Sequence, residues 1–340
     1  MSGEPSSVGA EGSGMSAKPA SLHQLLLHLV TLVVLVVLAA GVLAAVPGLH
    51  GVARLLRHAS PGWIVLAVAF EVLSCLGYVI AFEQVFPAVP RRTASLVAWS
   101  EMAFQTVFPA GGAGGSALGG WMLHEKGAPW GRIAERSAVL FLLTSAMSFF
   151  AVIIFGLLLA VGVLSGPHHL LLGAVPAAAG TAVVLLAIAS PRLVRSSIAK
   201  REWKHTRLKA MFEGLAQSVT DTERFLLDHN WKLVGTVGYL AFDIMVLWVG
   251  FLAFGHAPGA ATIVLGYLVG SMANAIPIPG GIGALDGGLI GALVLYGAGA
   301  TTATAAVLVY HAIWLLVPLV LGGVAFLLER PHLEEPLPEA

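Results

Sequence analysis

The chain has 340 residues, of which 57% are hydrophobic and only 11% charged, and its mean hydropathy is +0.88. Soluble domains carry about a quarter of charged residues, so these values exclude a soluble globular protein and indicate a polytopic membrane protein. The 18 basic and 18 acidic residues balance, which gives no ground for a nucleic-acid partner, and the single cysteine, Cys75, excludes an intrachain disulfide and a multi-cysteine metal site.

Residues 1–20 are small and polar, rich in Gly, Ser and Pro, and predict a disordered tail. The run Leu25 to Val46 is longer than a signal-peptide core and lacks a strongly basic leader, so it reads as a retained first span. After it, "LHGVARLLRHAS" has the pattern of an amphipathic interfacial helix. Further runs able to cross about 30 Å of hydrocarbon lie at 62–86, 137–164, 168–189, 232–255 and 304–328, for six spans in all. Two other apolar segments, Thr93 to Leu123 and Ala260 to Ala298, are broken at the centre, by "VFPAGGAGGSALGG" and by "NAIPIPGGIGALDGG". Irregular backbone at membrane depth persists only where protein buries it or water lines it.

Cytoplasmic loops carry an excess of Arg and Lys. Arg192, Arg195, Lys200, Arg201, Lys204, Arg207, Lys209 and Arg224 therefore place the basic loop 190–231 in the cytoplasm. Counting spans in both directions leaves both termini cytoplasmic and opens the two broken segments to opposite sides. Only Arg54 and Arg57 break the pattern. The expected fold is an all-α integral membrane protein with six spanning helices and two Gly/Pro-broken hairpins of opposite orientation, arranged as an inverted repeat. Its halves are about 21–166 and 167–330, with a short C-terminal tail at 331–340. Broken segments at matching places in inverted halves point to a transporter's binding site.

A helix that starts inside the membrane offers unpaired N–H groups and a positive dipole end to an anion. Gln105, Pro109, Gly111 and Gly112 precede one such start, and Asn274, Pro277, Pro279, Gly280, Gly281 and Gly283 the other. The glycines equally suit a tight turn and close helix packing. Glu71, Glu101, Asp243 and Asp286 lie in apolar segments that contain no Lys or Arg to pair with them. An ionised group at the helix centre costs roughly 2.5–3.5 kcal/mol against lipid, so these acids must face a cavity or carry protons. Glu71, Ser74, Cys75 and Tyr78 share one helical face, Glu101 and Gln105 another, and Gly235, Tyr239 and Asp243 a third. An acid-lined interior suits a cationic headgroup, a sodium ion or a proton relay. Against this, Asp286 just before a helix reads equally as an N-cap, and a neutral Glu71 needs no transport role. His311 and Trp314 share a face of the last span, where a lone His reads as packing. "HEKG" at His124 lacks a second His for zinc, and no catalytic constellation, metal site or cofactor is expected.

The segments "FPAGGAGG" from Phe108, "LHEKGAPWGRIAER" from Leu123 and "IPIPGGIGALDGG" from Ile276 resemble the lysylphosphatidylglycerol synthase/flippase transmembrane family over roughly residues 22–330. Gly280, Gly281 and Gly283 fall on that family's Pro-Gly-Gly-x-Gly core. Gln105 and Asp286 stand where members often have Asn and Glu. The resemblance implies a flippase-like protein of the plasma membrane that moves a phospholipid or related polar lipid between leaflets, without the soluble aminoacyl-transferase domain and so without enzymatic activity. Membrane lipids are the expected partners. The alternative is a non-transporting subunit that partners a lipid-modifying enzyme or glycosyltransferase through the basic loop; a homo-oligomer is left open.

Overall fold

A computed structural model describes residues 59–107, 112–166, 169–200, 206–227, 233–275, 283–333 and 335–337. The N-terminal tail, the expected first span and most of the interfacial segment lie outside these residues, as do Pro109, Gly111, Pro277, Pro279, Gly280 and Gly281. Every regular element among the described residues is helical.

Helix α1 (Pro61–Val85) opens with Pro at its first position, where the missing N–H has no intrahelical role. It stops before "FPAVP", whose prolines cannot continue it. Helices α2 (Arg91–Val107) and α3 (Gly112–Glu125) flank the first break, and α4 (Trp130–Ala160) follows. Helix α5 (His169–Lys200) runs through Pro176 and Pro191, and α6 (Thr206–Leu227) leads to α7 (Val234–Leu252). Helix α8 (Ala260–Ser271) tightens into a 3-10 turn over Met272–Ala275, and α9 (Ala284–Leu295) begins beyond the second break. Helix α10 (Ala300–Glu329) ends in a 3-10 turn, Arg330–His332.

Five of these helices, α1, α4, α5, α7 and α10, are long and apolar enough to cross a membrane, each at one of the expected spans. Val65, Phe141, Leu186 and Val320 stand exposed on four of them, as side chains that face lipid do.

The packing is pairwise. Helix α1 lies along α7, α5 along α4, and α2 along α10; α2 pairs with α3 and α8 with α9. Glycines bring several of these backbones together. A Cβ on Gly77 would stand 2.7 Å from the Gly235 carbonyl, and one on Gly235 2.9 Å from the Gly77 carbonyl, so α1 and α7 touch main chain to main chain. Helices α3 and α9 leave through the same turn. In one, Ala128 N–H donates to Leu123 O and Gly127 N–H to His124 O; in the other, Ala298 N–H donates to Leu293 O and Gly297 N–H to Val294 O. Both are Schellman motifs with a left-handed glycine, φ +93° at Gly127 and +99° at Gly297.

One expectation is corrected. The basic loop 190–231 is helical over most of its length: α5 continues to Lys200, and α6 packs on α4 and α5 with Ala216, Ser218 and Thr222 buried. Its apolar residues recur at helical spacing, a signal that the density of charge obscured. The short arms start at Gly112 and Ala284. The C-terminal tail is tied down, with Leu333 buried and the Leu337 N–H donating to the Lys126 carbonyl at 2.9 Å.

Candidate functional site

The register of α1 against α7 sets the centre of the molecule. Ser74 Oγ donates to the Tyr239 carbonyl at 2.9 Å, and Gly77 sits against Gly235 and the Tyr239 backbone. The helices therefore run antiparallel, and one turn from the Ser74–Tyr239 contact Glu71 and Asp243 come level. Phe70 stacks on Phe242 beside them, with ring centroids 5.9 Å apart. Glu71 is 3% exposed and Asp243 5%. Their carboxyl groups lie close enough to interact electrostatically.

Among the described residues, each acid has donors for only one of its oxygens. Tyr267 from α8 and Tyr310 from α10 both donate to Asp243 Oδ2, Tyr310 at 3.3 Å. The Cys75 thiol donates to Glu71 Oε1 at 3.7 Å. Glu71 Oε2 and Asp243 Oδ1 are buried and have no hydrogen-bond partner among the described residues. A buried polar atom without a partner carries its desolvation uncompensated.

Polar groups continue from this pair toward the first break. The Tyr239 ring meets Tyr78, centroids 5.5 Å apart, and Tyr78 donates to Glu101 Oε2 at 2.8 Å. Glu101, on α2, lies against α3 at Gly119; a Cβ there would collide with the carboxylate, so glycine is what admits it. Gly115 likewise lets α3 approach the Glu101 carbonyl, with a built Cβ 2.7 Å away. Gln105, the next turn of α2, is half-buried.

At the second break, Asp286 lies in the first turn of α9. Its Oδ2 accepts the Gly283 N–H at 3.0 Å, which caps the helix, while Oδ1 pairs with His311 Nδ1 of α10. The N-cap position itself belongs to Gly283, so Asp286 is not the N-cap that one reading made it; it is the third residue of the helix, its carboxylate reaches back to the N-cap N–H, and it also reaches a second helix. His311 is more than packing: it holds Asp286 while its ring meets Trp314 edge-on, centroids 5.7 Å apart. No spacing in the sequence joins residues so far apart in the chain. Asn274 lies in the 3-10 turn that closes α8, and Gly283 has φ +89° immediately before α9.

The structure thus brings Glu71, Glu101 and Asp243 into one tyrosine-linked network and places Asp286 with His311. Tyr267 and Tyr310 were not foreseen, although each sits at a helical position facing the core. No set of three or more His, Cys, Asp or Glu side chains suited to a metal occurs among the described residues.

These features define an all-helical, multi-pass membrane protein with carboxyl groups buried between its helices. Residues 25–322 match the family described as the lysylphosphatidylglycerol synthase TM region, and the chain belongs to that family. A UPF0104 membrane protein of Methanothermobacter thermautotrophicus is 32% identical over 114 residues, a stretch covering 33% of this chain and 31% of the relative. The match therefore spans less than a third of that relative's length.

Proposed function

We propose that the protein is a flippase-like transporter of the plasma membrane, with cytoplasmic termini, that moves a phospholipid or related polar lipid between leaflets. The observation that carries this reading is the pair of matched helix breaks. Each is followed by a short helix, starting at Gly112 or at Ala284, and each short helix leaves by the same glycine–alanine turn. The helix contacts also support two inverted halves. Helix α2 meets α10 as α8 meets α4, α3 meets α4 as α9 meets α10, and α1 meets α10 as α7 meets α4.

In this reading the lipid phosphate sits at the helix starts, near Pro109, Gly111 and Gly112 on one side and Asn274, Pro277, Pro279, Gly280, Gly281 and Gly283 on the other. Gln105 offers it a further hydrogen bond. A cationic headgroup meets the acids Glu71, Glu101, Asp243 and Asp286. Rocking of the halves about the α1–α7 contact alternates access.

The test is movement of headgroup-labelled anionic, zwitterionic and aminoacylated lipids by the purified protein in liposomes. Selective movement that falls at least tenfold in the Gly280→Leu/Gly281→Leu variant supports the reading. No movement by folded protein overturns it and favours the subunit role, in which α6 and its neighbouring basic residues dock a partner.

A further inference from the structure

The Glu71–Asp243 pair is placed unlike an ordinary structural acid. Two tyrosine hydroxyls from different helices converge on one oxygen of Asp243, while the other oxygen, and one oxygen of Glu71, stay buried and without a partner among the described residues. Two ionised carboxylates side by side in a low-dielectric interior repel strongly, whereas one proton removes both the repulsion and one of the two orphaned acceptors.

Among the described residues, the groups that face the pair offer no positive charge. On α1 these are Cys75 and Tyr78, on α7 Tyr239, on α8 Tyr267 and on α10 Tyr310. Helix α2 adds Glu101 through Tyr78, and α9 adds Asp286, which His311 already engages. Helix α4 has its only charged residues, Arg132, Glu135 and Arg136, in its first two turns, well away from this depth.

We propose that Glu71 and Asp243 form a single proton-binding site at the α1–α7 crossing, with the exchangeable proton carried on Glu71 and Asp243 ionised beside it. The asymmetry follows from the donors. Asp243 receives two phenolic hydrogen bonds, which favour its charged form, and Glu71 receives only a thiol's weak one. Protonated, Glu71 Oε2 becomes a donor, and Asp243 Oδ1, also unpartnered among the described residues, is an acceptor at the same crossing. Loss of the proton leaves two negative charges together, so release requires α1 and α7 to shift or a compensating cation to enter. The site is thereby suited to linking helix movement to proton exchange. It rests on this geometry alone and holds whatever the cargo is.

The test is infrared spectroscopy of the purified full-length protein at neutral pH, reading the C=O stretch of protonated carboxyl groups. A band is expected in the wild type that Glu71→Gln removes, that Asp243→Asn leaves in place at a shifted frequency, and that Glu101→Gln leaves unchanged. If Glu71→Gln does not fold, wild-type protein grown with carboxyl-labelled glutamate must show the band at lower frequency, and labelled aspartate must not move it. Absence of the band, its survival in Glu71→Gln, or insensitivity to labelled glutamate overturns the proposal. So does loss of the band on adding sodium at constant ionic strength, which would make the site a sodium site.

Discussion

Lys126 Nζ stands 2.9 Å from Glu329 Oε1 and donates to the His332 carbonyl at 2.7 Å, with both charged side chains only 4% exposed. The approach to that carboxylate oxygen is an ion pair with no aligned hydrogen bond, so its Coulomb attraction has to offset the desolvation of both groups. Such pairs are often no better than a well-packed apolar pair, yet removing one partner strands the other, at about 3–5 kcal/mol. Lys126→Ala is therefore expected to lower the apparent Tm in detergent sharply. Lys126→Met with Glu329→Leu should recover most of the loss, and thermal scans by circular dichroism would check both. From the sequence Lys126 reads as one more cytoplasmic charge. Its partner lies at the far end of the last span, and nothing in local composition marks the two as neighbours. Glu71, Glu101 and Asp243 were legible because an acid in an apolar run is expensive wherever it points, but their tyrosine donors come from other helices, which single-helix periodicity does not connect.

Between elements, the deciding feature is how closely backbones approach. Helix α10 carries adjacent glycines with opposite surroundings. A Cβ at Gly322 would collide with the Trp99 carbonyl of α2, whereas one at Gly323 meets nothing within 4 Å. Gly322→Ala has to push α2 and α10 apart, and overpacking of this kind costs about 1–3 kcal/mol. Gly323→Ala gains helix propensity, about 1 kcal/mol at most. The two substitutions should move the apparent Tm in opposite directions; equal effects would show that α2 and α10 do not touch here. The helices themselves were readable because each span is a long apolar run and each break is marked by Pro and Gly. Helix α6 was not, since eight basic residues across 190–231 suggested a loop, while the face of small residues that buries Ala216, Ser218 and Thr222 against α4 and α5 was outweighed by charge.

At the level of the whole molecule, the question is whether the two helix pairs are independent sites or alternating faces of one. Gly119 admits Glu101 against α3, and Gly288 admits α8 against α9, where a Cβ would stand 2.6 Å from the Gly270 carbonyl. Valine at either position distorts one pair and spares the other, while Gly287→Ala, which meets open space, serves as a control. If the pairs serve one substrate in turn, a lipid must pass both, so distorting either blocks movement inward and outward alike. If each pair only binds lipid from its own leaflet, distortion of one leaves exchange through the other. Gly119→Val and Gly288→Val are each expected to reduce headgroup-labelled lipid movement at least tenfold in both directions, with Gly287→Ala near wild type, measured in liposomes labelled in the inner or outer leaflet. A one-sided loss in either variant would mean that α1 and α7 separate two sites, and the buried Glu71–Asp243 pair would then lie in a wall between them and off the path the lipid takes.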